Sequence, residues 1–359
     1  MPPMVRSVLL ACCPVTARER QEEIIFVEVT FAHAIAGIAT DNRSGAAQIA
    51  VRAADILMRR ASMGEAASPD GFRQEVFATG WALIQTQPAM APLVNLVNTV
   101  MWKMEQRETP QGLRQAITEA VEQFKRQLRH HALRVAEGSL ALISDGTTLV
   151  TLSNSTTVQH ALLHAQRAGR RFSVICAESR PACEGRETAS ILAAHGIPVK
   201  LVVDAAAIEA VSRADLVMVG ADLLNGAGLV NKVGTYALSL AAKAASVPLY
   251  TLCSSEKFLP PGYPMPDQRE WSASEIWDDI PAGVVVHNHY FDLTPLQRIE
   301  GIVTEQGVLP TAAIEAWLAA TKLHPTLAAH ALMRVENHEH DETHAQHSVI
   351  SVSKSKTNN

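Results

Sequence analysis

The chain has 359 residues, 47% of them hydrophobic and 19% charged, with a formal net charge of −5. That length accommodates two domains and a large core, and the acidic balance argues against a general nucleic-acid binder. No apolar run reaches the roughly 20 residues of a membrane-spanning helix, and Cys12, Cys13, Cys176, Cys183 and Cys253 form no CxxC pair, so neither a zinc ribbon nor a disulfide framework is suggested.

Residues 1–30 read as a poorly ordered extension. The apolar run after Arg6 spans at most about eight residues and stops at Pro14, near the lower limit for a secretion signal. The protein is therefore expected in the cytoplasm. Residues 31–137 carry helical periodicity and read as a helical domain. Ile49, Ala53, Ile56 and Leu57 share a face, and Ser68-Pro69-Asp70-Gly71 marks a turn. Leu113, Ile117, Val121, Phe124 and Leu128 form one amphipathic stripe.

From 138 to 330 the pattern changes. Short apolar runs at 149–152, 172–177, 198–203, 216–219 and 248–253 alternate with helical segments. Such alternation predicts βαβ units and one mostly parallel sheet. The fold class is α/β: an N-terminal helical domain followed by a Rossmann-like, mostly parallel sheet domain that binds a ligand. Val284 to Asn288 reads as a further strand, and Asp292-Leu293-Thr294-Pro295 as the lead into a helix. Residues 336–359 are polar and carry His338, His340, His344 and His347; a disordered tail is the expectation there, with metal binding as the alternative.

The stretch 216–235, LVMVGADLLNGAGLVNKVGT, organises this domain. An apolar strand ends at Gly220, and Asp222, Asn231 and Lys232 follow around the turn cluster Asn225-Gly226-Ala227-Gly228. Ser153-Asn154-Ser155, Glu178 to Arg180, Asp204 and Ser254 each follow a different strand. In a parallel sheet these ends open onto one edge, where ligands bind. Each residue alone fits capping or turn chemistry; their recurrence on one edge points to a polar, anionic small molecule, with phosphate held on helix N-termini.

The pattern Gly220-Ala221-Asp222, Asn225-Gly226, Asn231-Lys232, Gly234-Thr235 resembles the translation initiation factor 2B alpha/beta/delta superfamily, which also holds methylthioribose-1-phosphate and ribose-1,5-bisphosphate isomerases. Further agreeing stretches are Glu178-Ser179-Arg180-Pro181 with Glu184-Gly185-Arg186, Ser254 to Phe258, Phe291 to Pro295, Gly301 to Glu305, Ser44-Gly45-Ala46, and Pro88 to Asn98. The resemblance covers about residues 25 to 310. It implies a helical domain on a Rossmann-like domain in a homodimer or larger assembly, without a cofactor or metal. It also implies a phosphorylated small molecule at Arg43, Gly45, Ala46, Asn154, Ser155, Arg180, Glu184, Asn231 and Lys232. A further protein partner fits the initiation-factor branch; a membrane or direct nucleic-acid partner does not.

The isomerases pair a Cys after the first strand with the Asp of the GAD motif. Asp222 matches that Asp, but the Cys position holds Ser153, a far weaker acid. Ser44 and Gln87 stand where the isomerases carry phosphate-binding arginines, beside Arg43, and Glu184 replaces their usual Gln. These departures favour an initiation factor 2B-like protein that binds a phosphorylated sugar or nucleotide with little or no catalysis. Retained Asp222, Asn231 and Lys232 support the alternative, an aldose–ketose isomerase on a ribose phosphate. A dinucleotide enzyme is disfavoured because no GxGxxG joins the first strand to its helix.

Overall fold

The computed structural model describes residues 29–63, 68–266 and 269–333. The extension expected over residues 1–30 lies outside them but for its last two residues, and the histidine-bearing tail at 336–359 lies wholly outside.

Five helices come first: α1 (Val29–Ala39), α2 (Ala46–Met63), α3 (Pro69–Thr86), α4 (Ala91–Met104) and α5 (Pro110–Ser139). Their starts follow local rules. Ser68 and Thr109 cap α3 and α5 by accepting from the Gly71 and Gly112 N–H groups, and a proline occupies the first turn of each, where a missing N–H costs nothing. The stripe Leu113, Ile117, Val121, Phe124 and Leu128 is buried in one cluster with Ile49, Ala53, Ile56 and Leu57. Periodicity alone therefore specified which face of α2 and α5 turns inward.

The second part is a seven-stranded sheet. Its strands are β1 (Thr148–Leu152), β2 (Ser173–Ala177), β3 (Val199–Val202), β4 (Leu216–Val219), β7 (Leu249–Leu252), β9 (Gly301–Thr304) and β10 (Gly307–Leu309). They lie in the order β10-β9-β7-β4-β1-β2-β3. Every pairing is parallel except the edge pair β9 and β10. Helices α6 (Thr156–Arg167), α7 (Gly185–Ala194), α8 (Asp204–Ala210), α9 (Thr235–Ala245) and α10 (Ile314–Ala320) complete the domain. Alternate strand residues feed two separate cores. Val150, Val217 and Ile302 belong to one, while Leu149, Met218 and Val303 belong to the other, as the two faces of a covered parallel sheet require.

The organising stretch does more than the sequence reading assigned to it. Its turn cluster closes a hairpin, β5 (Leu223–Asn225) and β6 (Gly228–Lys232), which pairs antiparallel with β8 (Phe291–Thr294) in a separate three-stranded sheet. The Asn225 Oδ1 accepts from the Ala227 and Gly228 N–H groups to form the turn. Leu223 and Val230 pack into the helical core, while Leu224 and Leu229 pack into the sheet core. This ribbon thus joins the two cores. Its strands are too short to carry a periodic signal, and the β8 partner lies about sixty residues onward. The expected strand at 284–288 is irregular instead, with one bridge pairing Glu270 to His289, and only a short 3-10 turn, Leu296–Arg298, follows β8. Among the described residues no helix is long and apolar enough to cross a membrane.

Candidate active site

A cleft of about 650 Å³ opens where the carboxyl ends of β1, β4 and β7 meet the start of α2 and the ribbon. Parallel order brings Ser153, Asp222 and Lys257 to one edge, since each lies in the loop that leaves the carboxyl end of its strand. The ribbon adds Asn231 and Lys232, and the loop after β2 adds Glu184. Helical backbone docks onto this edge: the Ala91 N–H at the start of α4 donates to the Asp222 carbonyl at 3.1 Å.

The sheet wall holds a buried charge network. Glu184 and Lys232 are 7% and 3% exposed, so both charges have left bulk water. The Glu184 Oε1 accepts from the Ser153 Oγ at 2.9 Å and lies 2.8 Å from the Lys232 Nζ. The Glu184 Oε2 has no hydrogen-bond partner among the described residues, and the Lys232 Nζ makes its ion pair without an aligned hydrogen bond. The Lys232 Nζ also sits 4.1 Å from the centre of the Tyr290 ring. Buried polar atoms are normally satisfied, so these open valences leave the network room for a further polar partner.

Asp222 stands beside this network. Burial pushes its carboxyl up to about 6, against the pull of Lys257 and Lys232 and with the help of the Glu184 charge. A carboxyl titrating there exchanges protons readily near neutral pH. Lys257 is itself buried, and its Nζ reaches the Thr157 Oγ1 at 3.4 Å.

Backbone geometry fixes the serine. Ser153 has φ 66°, a left-handed conformation unusual for a non-glycine residue. The Ser179 Oγ accepts its N–H at 2.7 Å, and its carbonyl accepts from the Thr188 Oγ1. Ser155 caps α6, and a Cβ on Gly220 would come within 2.4 Å of its Oγ. The glycine before Asp222 is therefore what lets β4 and the α6 start approach each other.

The helical wall is built differently. The Asp41 carboxylate accepts the Arg43 and Ser44 N–H groups. Burial would raise its pKa, but those bonds and Arg52 together hold it below the usual range. Gly45 and Ala46 line the cleft at the α2 start, and Arg43 is exposed at its mouth. Gln87 lines the cleft too, but its Nε2 is occupied by the Ile38 and Asp41 carbonyls at 3.1 and 2.9 Å.

Of the residues singled out in the sequence, Arg43, Gly45, Ala46, Ser153, Asn154, Ser155, Glu184, Asp222, Asn231 and Lys232 converge on the cleft. Asn154 spends its amide on Glu187 and Gln159, at 2.9 and 2.6 Å, and Asn231 donates to the Thr235 Oγ1. Arg180 is exposed outside the cleft lining, its N–H bound to the Asp204 carboxylate. Sequence reasoning passed over Lys257, Trp271 and Tyr290. Lys257 had a signal, since it closes the SSEK run after β7. The two aromatic residues had none, because the Glu270–His289 bridge beside them is a tertiary pairing.

A helical domain set over the carboxyl edge of a doubly wound sheet, with a charged cleft between, defines an α/β protein whose cleft lies where ligands bind in open sheets. The chain belongs to the Initiation factor 2 subunit family, whose model matches residues 42–311. Among its relatives, the ribose 1,5-bisphosphate isomerase of Archaeoglobus fulgidus is 35% identical over 274 residues, 74% of this chain and 85% of that one. The protein of that name from Haloferax volcanii is 31% identical over 75% of this chain and 85% of its own. The solved translation initiation factor eIF-2B of Pyrococcus horikoshii OT3 superposes with a TM-score of 0.69 at 26% identity, covering 79% of this chain and 98% of that one. The 5-methylthioribose 1-phosphate isomerase from the same source shares the fold, with a TM-score of 0.65 at 21% identity, over 80% of this chain and 87% of that one.

These relatives correct the expectation of a binding protein with little or no catalysis. Six archaeal relatives named ribose 1,5-bisphosphate isomerase are 30–35% identical over about three quarters of the chain. The physical error lay in treating Ser153 as a lost acid. The structure couples that hydroxyl to the Glu184 carboxylate, which sequence spacing did not reveal.

Proposed function

We propose that this protein is an aldose–ketose isomerase acting on a ribose phosphate of the ribose 1,5-bisphosphate type. The observation that carries the reading is the pair of carboxylates, Asp222 and Glu184, held against two buried lysines in one cleft. Converting ribose 1,5-bisphosphate to its ketose requires a proton to leave C2 and one to arrive at C1. In parallel, O2 loses a proton and the ring oxygen gains one. Two proton-handling groups meet that demand.

Asp222 serves the oxygens, because a carboxyl near 6 both takes and returns a proton at neutral pH. Glu184 serves the carbons, with the Ser153 hydroxyl fixing its Oε1 and leaving Oε2 open. Lys232 and Lys257 offset the charge that develops on the enolate oxygen. Phosphate is received by the N–H groups at the starts of α2 and α6, with Arg43 at the mouth. No cofactor is required by this proton balance. The homodimer or larger assembly that the family resemblance implies is measured by light scattering. Incubation of the full-length protein with ribose 1,5-bisphosphate should yield the ketose bisphosphate, detected by NMR. An absence of turnover on both this substrate and methylthioribose 1-phosphate would overturn the proposal.

A further inference from the structure

Beside the ribbon, the segments joined at Glu270 and His289 carry a second cluster of donor atoms that the proposed isomerase chemistry does not use. Glu270 and His289 face each other as an antiparallel bridge pair, and His287 lies two residues before His289. The His287 Nδ1 and His289 Nε2 lie 2.8 and 3.5 Å from the Glu270 Oε1, and the three donor atoms fall within 4.8 Å of one another. The two imidazole rings are nearly parallel, at 13°, with centres 6.1 Å apart.

We propose that Glu270, His287 and His289 form a site for a divalent transition-metal ion of the zinc class. A tetrahedral ion with bonds of about 2.0–2.1 Å sets its donor atoms about 3.3 Å apart. The two observed separations from Glu270 bracket that value, and the third, within 4.8 Å, closes by rotation of the exposed His287 side chain. Two imidazoles with one carboxylate suit zinc, and three protein ligands leave a fourth position for water.

The site's position gives it a consequence. Glu270 precedes Trp271 and His289 precedes Tyr290; these two rings pack 4.7 Å apart and line the cleft. The Trp271 N–H donates to the Asn288 carbonyl at 3.0 Å, tying the two segments beside the cluster. An ion bound across Glu270 and His289 restrains the same pair of segments, and with them the aromatic wall beneath Lys232.

The test is a calorimetric titration of the full-length protein with zinc chloride at neutral pH. His338, His340, His344 and His347 offer competing donors, so a variant with all four changed to Asn is titrated in parallel. One equivalent of zinc should bind to that variant. Adding His287→Ala or Glu270→Gln to it should weaken this binding at least tenfold. Both side chains are exposed, so metal-free thermal midpoints should match across the set, and a zinc-dependent rise should occur only with the cluster intact. Zinc binding that disappears with the tail histidines, or that is unchanged in both cluster variants, would overturn the proposal.

Discussion

The two walls of the cleft use polar residues in opposite ways. On the helical wall, Asp41 and Gln87 are saturated by backbone partners of their own domain. On the sheet wall, Glu184 and Lys232 are buried with open valences, and Asp222 is held near its titration point. In the proposed isomerase, the first arrangement would fix a shape that receives the substrate's phosphate, and the second would store the electrostatic imbalance that proton transfer draws on. Removing a charge from the sheet wall should therefore cost activity, whatever it does to stability, whereas changes on the helical wall should leave kcat largely intact.

The largest effects belong to the sheet wall. Asp222→Asn and Glu184→Gln should each lower kcat on ribose 1,5-bisphosphate by about 10²–10⁴. Ser153→Ala should cost less than either, because it removes the group that orients Glu184 and leaves the carboxylate. A Ser153→Ala loss equal to that of Glu184→Gln would instead place the hydroxyl itself at the reacting atoms. Lys232→Ala strands Glu184 as a buried, unpaired charge, which costs about 3–5 kcal/mol of stability. Its affinity for the sugar phosphate should also fall at least tenfold, about 1.4 kcal/mol. Calorimetry under conditions where the variant is folded separates the two effects.

A third prediction uses pH. Asp222 has a folded pKa of about 6 against an ordinary value of 3.8, so the folded state binds this proton more tightly than the unfolded chain does. Its ionisation therefore destabilises the fold as pH rises through about 6. Asp222→Asn should gain up to about 3 kcal/mol at pH 7–8, with the gain vanishing below about pH 4. The wild-type kcat/KM should meanwhile climb with pH across the same region, as the ionised carboxylate becomes available. Denaturant melts and rate profiles across pH 4–8 read both; a flat stability difference would remove the buried Asp222 charge from the account.

Effects on the helical wall should be smaller and differently distributed. Gln87→Ala leaves two carbonyls without their donor, at about 1–3 kcal/mol of stability, with KM changing more than kcat. Arg43 is exposed, so Arg43→Ala should raise KM a few-fold at low salt and less at high salt. A large kcat loss in either variant would erase the contrast between the walls.

Much of this was legible in the sequence because it rests on local rules. Helical spacing identified the buried face of α5, and strand–helix alternation identified the parallel sheet. Glycine and polar residues after successive strands identified the edge where Ser153 and Asp222 meet. These signals survive in one dimension because side-chain period and chain reversal are properties of short segments. The Glu184 bond to Ser153 was not legible, and reading Ser153 without it led to the wrong functional expectation. The hairpin that joins the two cores was hidden because its strands are short and β8 comes from far along the chain. Lys257 was visible as a residue but not as a partner of Asp222, and Trp271 and Tyr290 reach the cleft only through the Glu270–His289 pairing. By itself, then, the sequence determined the elements, the class of fold and the edge on which the polar residues gather. The tertiary structure alone decided which charges share a low-dielectric space, because burial and Coulomb coupling depend on distances through the fold rather than along the chain.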